Sequence, residues 1–145
     1  MRILVQRSLE SSVSVNNEIV GKIEKGVVIL VGFTNTDTSK EIDYLISKVT
    51  NLRIFDDENG VMNKSLLDIN GSVLSISQFT LYGDAKKGNR PSYINAMKGE
   101  NAIKLYDEFN EKLSKYVNVE KGIFGSDMKV SITNDGPVTI LLESK

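Results

Sequence analysis

The segment that organises this chain reads Val73-Leu74-Ser75-Ile76-Ser77-Gln78-Phe79-Thr80, an apolar run that ends in hydrogen-bonding side chains. Its apolar half predicts a buried central strand. Strand alternation predicts that Gln78 and Thr80 share one face of the sheet. Ser77 and Phe79 then share the other face. Polar groups at the end of a buried strand are costly to leave unpaired. They either bond to neighbouring backbone or form a site, and this segment alone favours the first interpretation.

Alternating and apolar patterns on both sides of this segment predict further strands. These patterns lie at residues 2–8, 12–15, 19–23, 27–33, 117–121, 128–133 and 138–142. A turn at Asn16-Asn17 predicts a hairpin, because Asn tolerates positive φ. Two apolar stripes at helical spacing predict α-helices, one after a cap at Thr38 or Ser39 and one over residues 100–116. The pattern predicts a single domain over residues 1–145, of the mixed α/β class or of the α+β class, with helices flanking a sheet that curls towards a barrel.

The composition excludes several kinds of chemistry, because the chain has no cysteine and no histidine. Disulfides, thiolate nucleophiles, zinc sites built on Cys or His, and a Ser-His-Asp triad are all excluded. The acidic turn over residues 56–60 lacks the spacing of an EF-hand loop. Any catalysis must come from hydroxyls, carboxylates, lysines, backbone amides, a carboxylate-bound metal or the substrate itself. Of these we expect no metal site, and we expect no cofactor.

A small basic surface follows the central segment, although the net charge of the whole chain is only -1. Residues 84–104 carry a net charge of +3, and Lys86, Lys87 and Arg90 lie in its first part. A basic surface beside a polar site is suited to phosphate groups. A solvated charged loop is the simpler interpretation of the same pattern.

The pair Gly136-Pro137 interrupts what would otherwise be one long terminal strand. Proline cannot donate to a sheet ladder, and glycine allows unusual backbone angles. The carbonyl groups of this pair could therefore be left free to meet a ligand. A tight turn explains the same residues without any ligand.

Two stretches of this sequence, Ser77 to Leu81 and Asn134 to Thr139, resemble those of the D-aminoacyl-tRNA deacylase family. Other pieces match in the family's order and spacing, namely Val5-Gln6-Arg7, Arg53-Ile54-Phe55, Met62-Asn63, Arg90-Pro91-Ser92-Tyr93 and Phe124 to Ser131. One tetrapeptide would be a weak signal, but this ordered set covers essentially the whole chain and is specific. Ser126 stands where some members have alanine.

The resemblance implies hydrolysis of the ester between a D-amino acid, or mischarged glycine, and the 3′-terminal ribose of tRNA. It therefore implies chiral proofreading in translation, in which L-aminoacyl-tRNA is rejected. It also implies a barrel-like homodimer with its two sites at the subunit interface. Ser77, Gln78, Phe79 and Thr80 would line the site, and Phe124 would bind substrate. A cis Gly136-Pro137 pair would reach into the partner subunit's site, where its carbonyls hold the amino group and exclude an L side chain.

The chemistry of the residues agrees with this resemblance. Without histidine, a hydroxyl nucleophile lacks its usual base. We favour attack by water that is assisted by the vicinal 2′-hydroxyl of the tRNA, with backbone donors near Phe79 and Thr80 stabilising the oxyanion. The alternative, in which Thr80 forms an acyl-enzyme, stays open. Lys86, Lys87 and Arg90 are predicted to contact the tRNA.

Two other functions also stay open from the residues alone. One is a non-catalytic module that binds tRNA 3′ ends through the basic surface, and the other is a small-ester hydrolase that uses Thr80 without RNA. The first residues are too polar for a signal peptide, and no apolar run approaches the length of a membrane span. We therefore expect a cytoplasmic location and no membrane partner.

Overall fold

A computed structural model describes residues 1–144, which form ten strands, two α-helices and one short 3-10 turn. The first seven strands are β1 (Arg2–Ser8), β2 (Ser11–Val15), β3 (Glu18–Ile23), β4 (Gly26–Gly32), β5 (Phe55–Asp56), β6 (Met62–Lys64) and β7 (Ser72–Ser77). The last three are β8 (Asn118–Lys121), β9 (Lys129–Ser131) and β10 (Asn134–Glu143). The helices are α1 (Ser39–Asn51) and α2 (Gly99–Leu113), and the 3-10 turn spans Phe79–Tyr82.

The strands form a five-stranded sheet of order β10-β1-β4-β7-β8, a three-stranded sheet of order β3-β2-β9 and the small pair β5-β6. In the large sheet, β1 is antiparallel to β10 and β4, whereas β4, β7 and β8 are parallel. The predicted mixed α/β class is confirmed. The sheets formed by residues 1–144 do not close into a barrel. Over the same residues, no helix has both the length and the apolar character needed to traverse a bilayer.

The two helices cover one face of the large sheet. Their buried residues, such as Leu45 and Phe109, form one core with Ile3 and Ile29 of the central strands. The three-stranded sheet packs on the opposite face, where Val13 lies in a second core with side chains of β4 and β7. A core on each face explains why the centre of the large sheet is almost continuously apolar.

Part of the second face is left uncovered near β1 and β10. Leu4 pairs with both Leu30 and Leu141, so these three side chains form a row across three strands. Leu4 and Leu30 are half-buried, and Leu141 is 47% exposed. We call these three residues the leucine row. An apolar row of this kind on a sheet face is a candidate interface.

Local sequence signals account for the turn and the first helix. Asn16 and Asn17 adopt φ of 51° and 64° in the hairpin between β2 and β3, as predicted. Thr38 and Glu41 form a capping box at the start of α1. The second helix ends at Leu113 rather than at residue 116. The helical spacing of Ile103 with Tyr106 predicts that both face the core, but Ile103 is 39% exposed, because the buried stripe of α2 runs through Ala102, Tyr106, Phe109 and Leu113 and leaves Ile103 at its edge.

Candidate active site

A cavity of about 550 Å³ opens at the carboxyl ends of the parallel strands β4 and β7. Ligands of open α/β sheets commonly bind at this edge. The first part of its wall comes from β4, β7 and the turn that follows β7, with residues Val31, Gly32, Phe33, Ile76, Ser77, Gln78 and Phe79. The rest comes from the start of α2 and the segment just before it, with residues Met97, Gly99 and Ala102, and from β9 and the loop before it, with residues Phe124, Gly125, Ser126, Met128 and Val130.

The polar end of the central segment folds as a turn and not as a strand. Strand β7 ends at Ser77, the Gln78 N–H donates to the Val31 carbonyl at 2.7 Å, and the 3-10 turn begins at Phe79. The predicted alternation of faces therefore fails beyond Ser77. The turn folds closely over β4, because an added Cβ at Gly32 would lie 2.9 Å from the Gln78 carbonyl oxygen.

The side chain of Thr80 is held by its neighbour Gln78. The Gln78 amide Nε2 donates a hydrogen bond to the Thr80 hydroxyl oxygen. Thr80 is exposed and lies beside the cavity, but it is not part of the wall. The N–H groups of Phe79 and Thr80 have no hydrogen-bond acceptor among residues 1–144. These are the two backbone donors that the sequence predicted for the site.

Two phenylalanines stand in the wall of the cavity. Phe79 is 58% exposed and packs edge-on against Tyr93, with 5.2 Å between ring centroids. Phe124 packs against Tyr106 at 5.7 Å between centroids. The buried Tyr106 hydroxyl donates to the Ser75 carbonyl at 2.8 Å, and burial raises the pKa of this phenol. Tyr106 therefore connects Phe124 to the central strand.

No residue of the cavity wall, all of which lies within the described chain, carries a carboxylate, an amine or a guanidinium group. The wall offers the Ser77 and Ser126 hydroxyls, the Gln78 amide and backbone groups, set among apolar side chains. A nucleophile in this cavity would have no protein base beside it. The wall that this chain provides therefore supplies no general base, which would have to come from the substrate, the solvent or another chain.

The Gly136-Pro137 pair lies away from the cavity of its own chain, and its peptide bond is cis. It lies in a bulge of β10. Asn134 pairs with Ser8 and Thr139 pairs with Gln6, so five steps along β10 lie opposite only two steps along β1. The bulge lies near the Gly26 end of β4, whereas the cavity lies near the other end of that strand. A strand of this length rises about 20 Å. Both residues of the pair are exposed.

The basic loop starts two residues after the 3-10 turn. Asp84 and Ser92 close it by two backbone hydrogen bonds of 2.8 and 2.9 Å. Lys86, Lys87 and Arg90 are all exposed between them. The contact of the next residue along, Tyr93, with Phe79 places the base of the loop beside the cavity.

Comparison with known proteins decides the family. A family model described as D-Tyr-tRNA(Tyr) deacylase matches residues 4–143. The D-aminoacyl-tRNA deacylase of Bacillus cytotoxicus is 56% identical to this chain over an alignment that covers 100% of both proteins. The protein of the same name from Clostridium novyi is also 56% identical, over 100% of this chain and 98% of that protein.

The chain belongs to the D-Tyr-tRNA(Tyr) deacylase family. The resemblance and the hydrolase class predicted from the sequence are confirmed. A solved structure of a c-Myc DNA Unwinding Element Binding Protein superposes with a TM-score of 0.95 at 42% identity, covering 100% of this chain and 99% of that one. A probable eukaryotic D-amino acid tRNA deacylase shares the fold, with a TM-score of 0.84 at 18% identity over 97% of both chains.

Several wall residues of this deacylase-family cavity were not found from the sequence. They are Phe33, Met97, Met128 and Val130, which come from three separate segments and individually have the character of core residues. Only tertiary contacts unite them, as when the Met97 N–H donates to the Phe33 carbonyl at 2.9 Å. The family resemblance covered Phe124 to Ser131, and so included Met128 and Val130 without assigning them to the site.

Proposed function

We propose that this chain hydrolyses D-aminoacyl-tRNA, and glycine mischarged on tRNA, in the cavity at the ends of β4 and β7. Free D-amino acid and tRNA are the products. The observation that carries the proposal is the position of Ser77, Gln78 and Phe79 in the wall of a cavity without ionisable side chains, in a chain of this family. Because aminoacyl-tRNA is made and used in the cytoplasm, we propose a cytoplasmic location.

The size and the lining of the cavity suit an aminoacylated adenosine. Its volume of about 550 Å³ falls in the range of small-molecule sites, and its wall is mainly apolar with a few polar groups. Phe79 and Phe124 offer ring faces and edges to the adenine base, since aromatic side chains stack on bases of every type. The ester would then lie near Ser77 and the turn that follows it.

The proposed reaction is attack by water on the ester carbonyl. The oxygen of water forms the new bond to carbon, the bond to the ribose 3′-oxygen breaks, and that oxygen takes the proton. The vicinal 2′-hydroxyl orients the water and relays the proton, because no protein base lines the cavity. The free N–H groups of Phe79 and Thr80 would stabilise the oxyanion.

The arrangement of Thr80 supports this mechanism over an acyl-enzyme. Its hydroxyl oxygen accepts a hydrogen bond from the Gln78 amide, which is a donor and cannot remove a proton. An activated threonine needs a base at that position. We therefore assign Thr80 a supporting role in which Gln78 orients its hydroxyl towards the substrate.

We propose a homodimer that pairs the leucine rows of two copies. The leucine row (Leu4, Leu30, Leu141) is an apolar strip on the sheet face that the chain leaves uncovered. A two-fold axis that runs across the strands would place the Gly136-Pro137 bulge of one copy over the cavity end of the other. In this arrangement the exposed Gly136-Pro137 pair, which lies about 20 Å from the cavity of its own chain, would contribute to the cavity of the partner.

The chirality of the reaction would follow from the backbone of Gly136-Pro137. If carbonyl oxygens of this pair hold the substrate ammonium group, only two directions remain at the α-carbon, for hydrogen and for the side chain. Backbone atoms that occupy the L direction reject every L-amino acid and leave D side chains of any size pointing outwards. Glycine has no side chain to exclude and would be accepted.

Lys86, Lys87 and Arg90 are proposed to contact phosphates near the acceptor end of the tRNA. Their loop is anchored beside Phe79 through Tyr93, so its charges lie next to the mouth of the cavity. Positive side chains that track a phosphate backbone supply affinity without reading the sequence.

The decisive experiment compares matched D-tyrosyl-tRNA and L-tyrosyl-tRNA as substrates, with the oligomeric state measured by sedimentation in the same buffer. We expect release of D-tyrosine, no release of L-tyrosine, and a dimer at micromolar concentration. Binding without release would favour the non-catalytic module. Equal rates on charged tRNA and on a simple D-tyrosine ester would favour the small-ester hydrolase. Full activity from a monomer would contradict the shared site.

A further inference from the structure

A second cavity lies at the other end of the 3-10 turn from the proposed active site. Its volume is about 430 Å³, and its wall includes Arg2, Tyr82, Asp84, Lys86 and Asn95. We call it the Arg2 groove. Phe79 at the start of the turn lines the active-site cavity, and Tyr82 at its end lines the groove. The two compartments are therefore about 6 Å apart along the turn, since a 3-10 helix rises about 2 Å per residue.

An aromatic and a guanidinium group form a fixed platform in the groove. The Arg2 guanidinium carbon lies 4.5 Å from the centre of the Tyr82 ring. Its Nη1 donates to the Leu81 carbonyl at 2.8 Å, which ties the platform to the turn. The Arg2 side chain is 33% exposed, so part of its planar surface is open to a ligand. Proteins hold unstacked bases against aromatic rings, such as the phenol of tyrosine, and against the planar guanidinium groups of arginine.

The charges around the groove are balanced and do not favour a bare anion. Glu143 lies 3.6 Å from the Arg2 Nε, and the Asp84 carboxylate accepts the Lys86 N–H at 2.8 Å. The Lys86 ammonium group is exposed at the rim, next to the other cations of the basic loop. This arrangement suits a neutral flat group against the platform, with one phosphate at the rim.

The backbone of Asn95 is fixed at the groove by the Thr34 hydroxyl, which donates to the Asn95 carbonyl at 2.6 Å. The Asn95 side-chain amide has no hydrogen-bond partner among residues 1–144. An amide carries both donors and an acceptor, which matches the edge of a nucleobase. The groove thus combines a stacking surface, an edge-reading group and a cation at its rim.

We propose that the Arg2 groove binds the cytidine that precedes the terminal adenosine of the tRNA, with its base against Tyr82 and Arg2. This inference rests on the proposed function. Consecutive nucleotides of a stacked strand lie about 3.4 Å apart and move farther apart when unstacked. One turn of 3-10 helix between two compartments is consistent with one nucleotide in each. Aminoacyl-adenosine alone would then fill only half of the binding surface.

The test measures binding of two non-hydrolysable probes by calorimetry. One is 3′-deoxyadenosine with a 3′-D-tyrosylamide, and the other is the same compound extended by a 5′-cytidylyl group. We expect the wild-type protein to bind the extended probe about tenfold more tightly, as is typical of one stacked base. A third probe with only a 5′-phosphate should recover less than half of this gain. No gain from cytidine, or full gain from phosphate alone, would overturn the proposal.

Three variants test whether the tighter binding of the extended probe arises in the Arg2 groove. Tyr82→Leu and Asn95→Ala should each reduce the advantage of the extended probe to under threefold and leave the binding of the short probe unchanged. Asn95→Ala keeps the test valid if Tyr82→Leu does not fold. Tyr44→Leu is the matched control, because Tyr44, although more exposed than the half-buried Tyr82, also has a cation, Lys48, 5.5 Å from the centre of its ring. Full gain in both groove variants would refute the assignment.

A parallel assay separates the two hypotheses. D-tyrosine release from charged tRNA is measured with the wild-type protein in the same preparation. Absence of release would contradict the proposed function, whatever the probes show. Release from charged tRNA together with equal affinity for the two probes would contradict the Arg2 groove alone.

Discussion

The Nε–H of Arg7 donates a hydrogen bond to the Asp135 backbone carbonyl at 3.0 Å, directly before the Gly136-Pro137 pair. The Nη1 of the same guanidinium donates to the Ile54 carbonyl at 2.8 Å. Carboxylates of Asp56 and Asp135 lie 3.7 and 3.5 Å from it, and the Arg7 side chain is only 12% exposed. One cation therefore holds the bulge of β10 against the segment that follows α1.

Replacing this cation should destabilise the fold. We expect Arg7→Met to lower the free energy of unfolding by about 2–3 kcal/mol, because two backbone carbonyls lose a charged donor. Urea unfolding measures the change. Lys22→Met is the control, since Lys22 makes only an exposed ion pair with Glu10 at 3.6 Å and should change stability by less than about 0.5 kcal/mol. Equal effects of the two substitutions would contradict the structural role of Arg7.

The sequence predicted the strand β7 correctly and its continuation wrongly, for a physical reason. The apolar run up to Ser77 dictates burial between two cores, so the strand follows from periodicity. Gln78, Phe79 and Thr80 continue a strand-like alternation, but the chain turns there because Gly32 of the neighbouring strand leaves room for it. The space for the turn comes from Gly32, which lies in another segment, so the pattern of residues 73–80 alone does not predict the turn.

The candidate site shows the same limit. The residues Ser77 to Phe79 and Phe124 were identified from motifs, and the structure places them in one cavity wall. The cis bond at Gly136-Pro137 agrees with the family resemblance. Phe33 and Met97 in the wall carried no local signal, because an apolar residue in a cavity and one in a core have the same periodicity. The Arg2 groove joins the first strand to a loop about 80 residues later, which only the tertiary structure shows.

Gly136 occupies a backbone conformation that other residues rarely adopt. Its φ is +125°, and an added Cβ would lie 2.9 Å from both the Arg7 Nη2 and the Val138 Cγ2. We expect Gly136→Ala to lower the free energy of unfolding by about 1–3 kcal/mol. We also expect it to reduce D-tyrosyl-tRNA hydrolysis at least about a hundredfold, since small displacements of positioning groups typically cost that much.

Gly60→Ala distinguishes these two effects. Gly60 also has a positive φ, +74°, but an added Cβ there would meet nothing within 4 Å. It should cost about 1 kcal/mol of stability by the same backbone effect, with normal hydrolysis of D-tyrosyl-tRNA. Normal activity in Gly136→Ala would show that the bulge takes no part in the site.

Neutralising the basic loop should change the salt dependence of tRNA binding. We expect the combined substitutions Lys86→Gln, Lys87→Gln and Arg90→Gln to reduce the slope of log K against log salt by about 2. Each phosphate of a single strand that a cation neutralises adds about 0.7 to this slope, and the variant removes three such cations. Filter binding to uncharged tRNA at several salt concentrations measures the slope.

The control for this experiment carries the same change of charge elsewhere. Lys22, Lys25 and Lys40 are also exposed, and replacing all three by glutamine alters the net charge of the protein equally. If the slope falls equally in both triple variants, the effect comes from net charge and the basic loop has no specific role in binding. An unchanged slope in the loop variant would likewise remove it from the tRNA interface.

The last prediction compares the rate that is lost when the Thr80 hydroxyl is removed with the rate that is lost when the 2′-hydroxyl of the tRNA is removed. Thr80 accepts a hydrogen bond from Gln78, and no carboxylate or amine lines the neighbouring cavity, so we expect its hydroxyl to orient a group and not to act as a nucleophile. We expect Thr80→Ala to lower kcat for D-tyrosyl-tRNA by at most about tenfold. Replacing the 2′-hydroxyl of the terminal ribose by hydrogen removes the proposed proton relay, which is typically worth about 10²–10⁴ in rate.

Single-turnover rates of the four combinations of protein and substrate give both losses and their coupling. If the hydroxyl of Thr80 only orients the water that the 2′-hydroxyl activates, Thr80→Ala should cost little on the 2′-deoxy substrate, because the step it assists is already lost. An acyl-enzyme predicts the opposite pattern: Thr80→Ala would abolish turnover on both substrates, and mass spectrometry of the quenched wild-type reaction would find D-tyrosine attached to Thr80. Detection of that adduct would replace the water mechanism by nucleophilic catalysis.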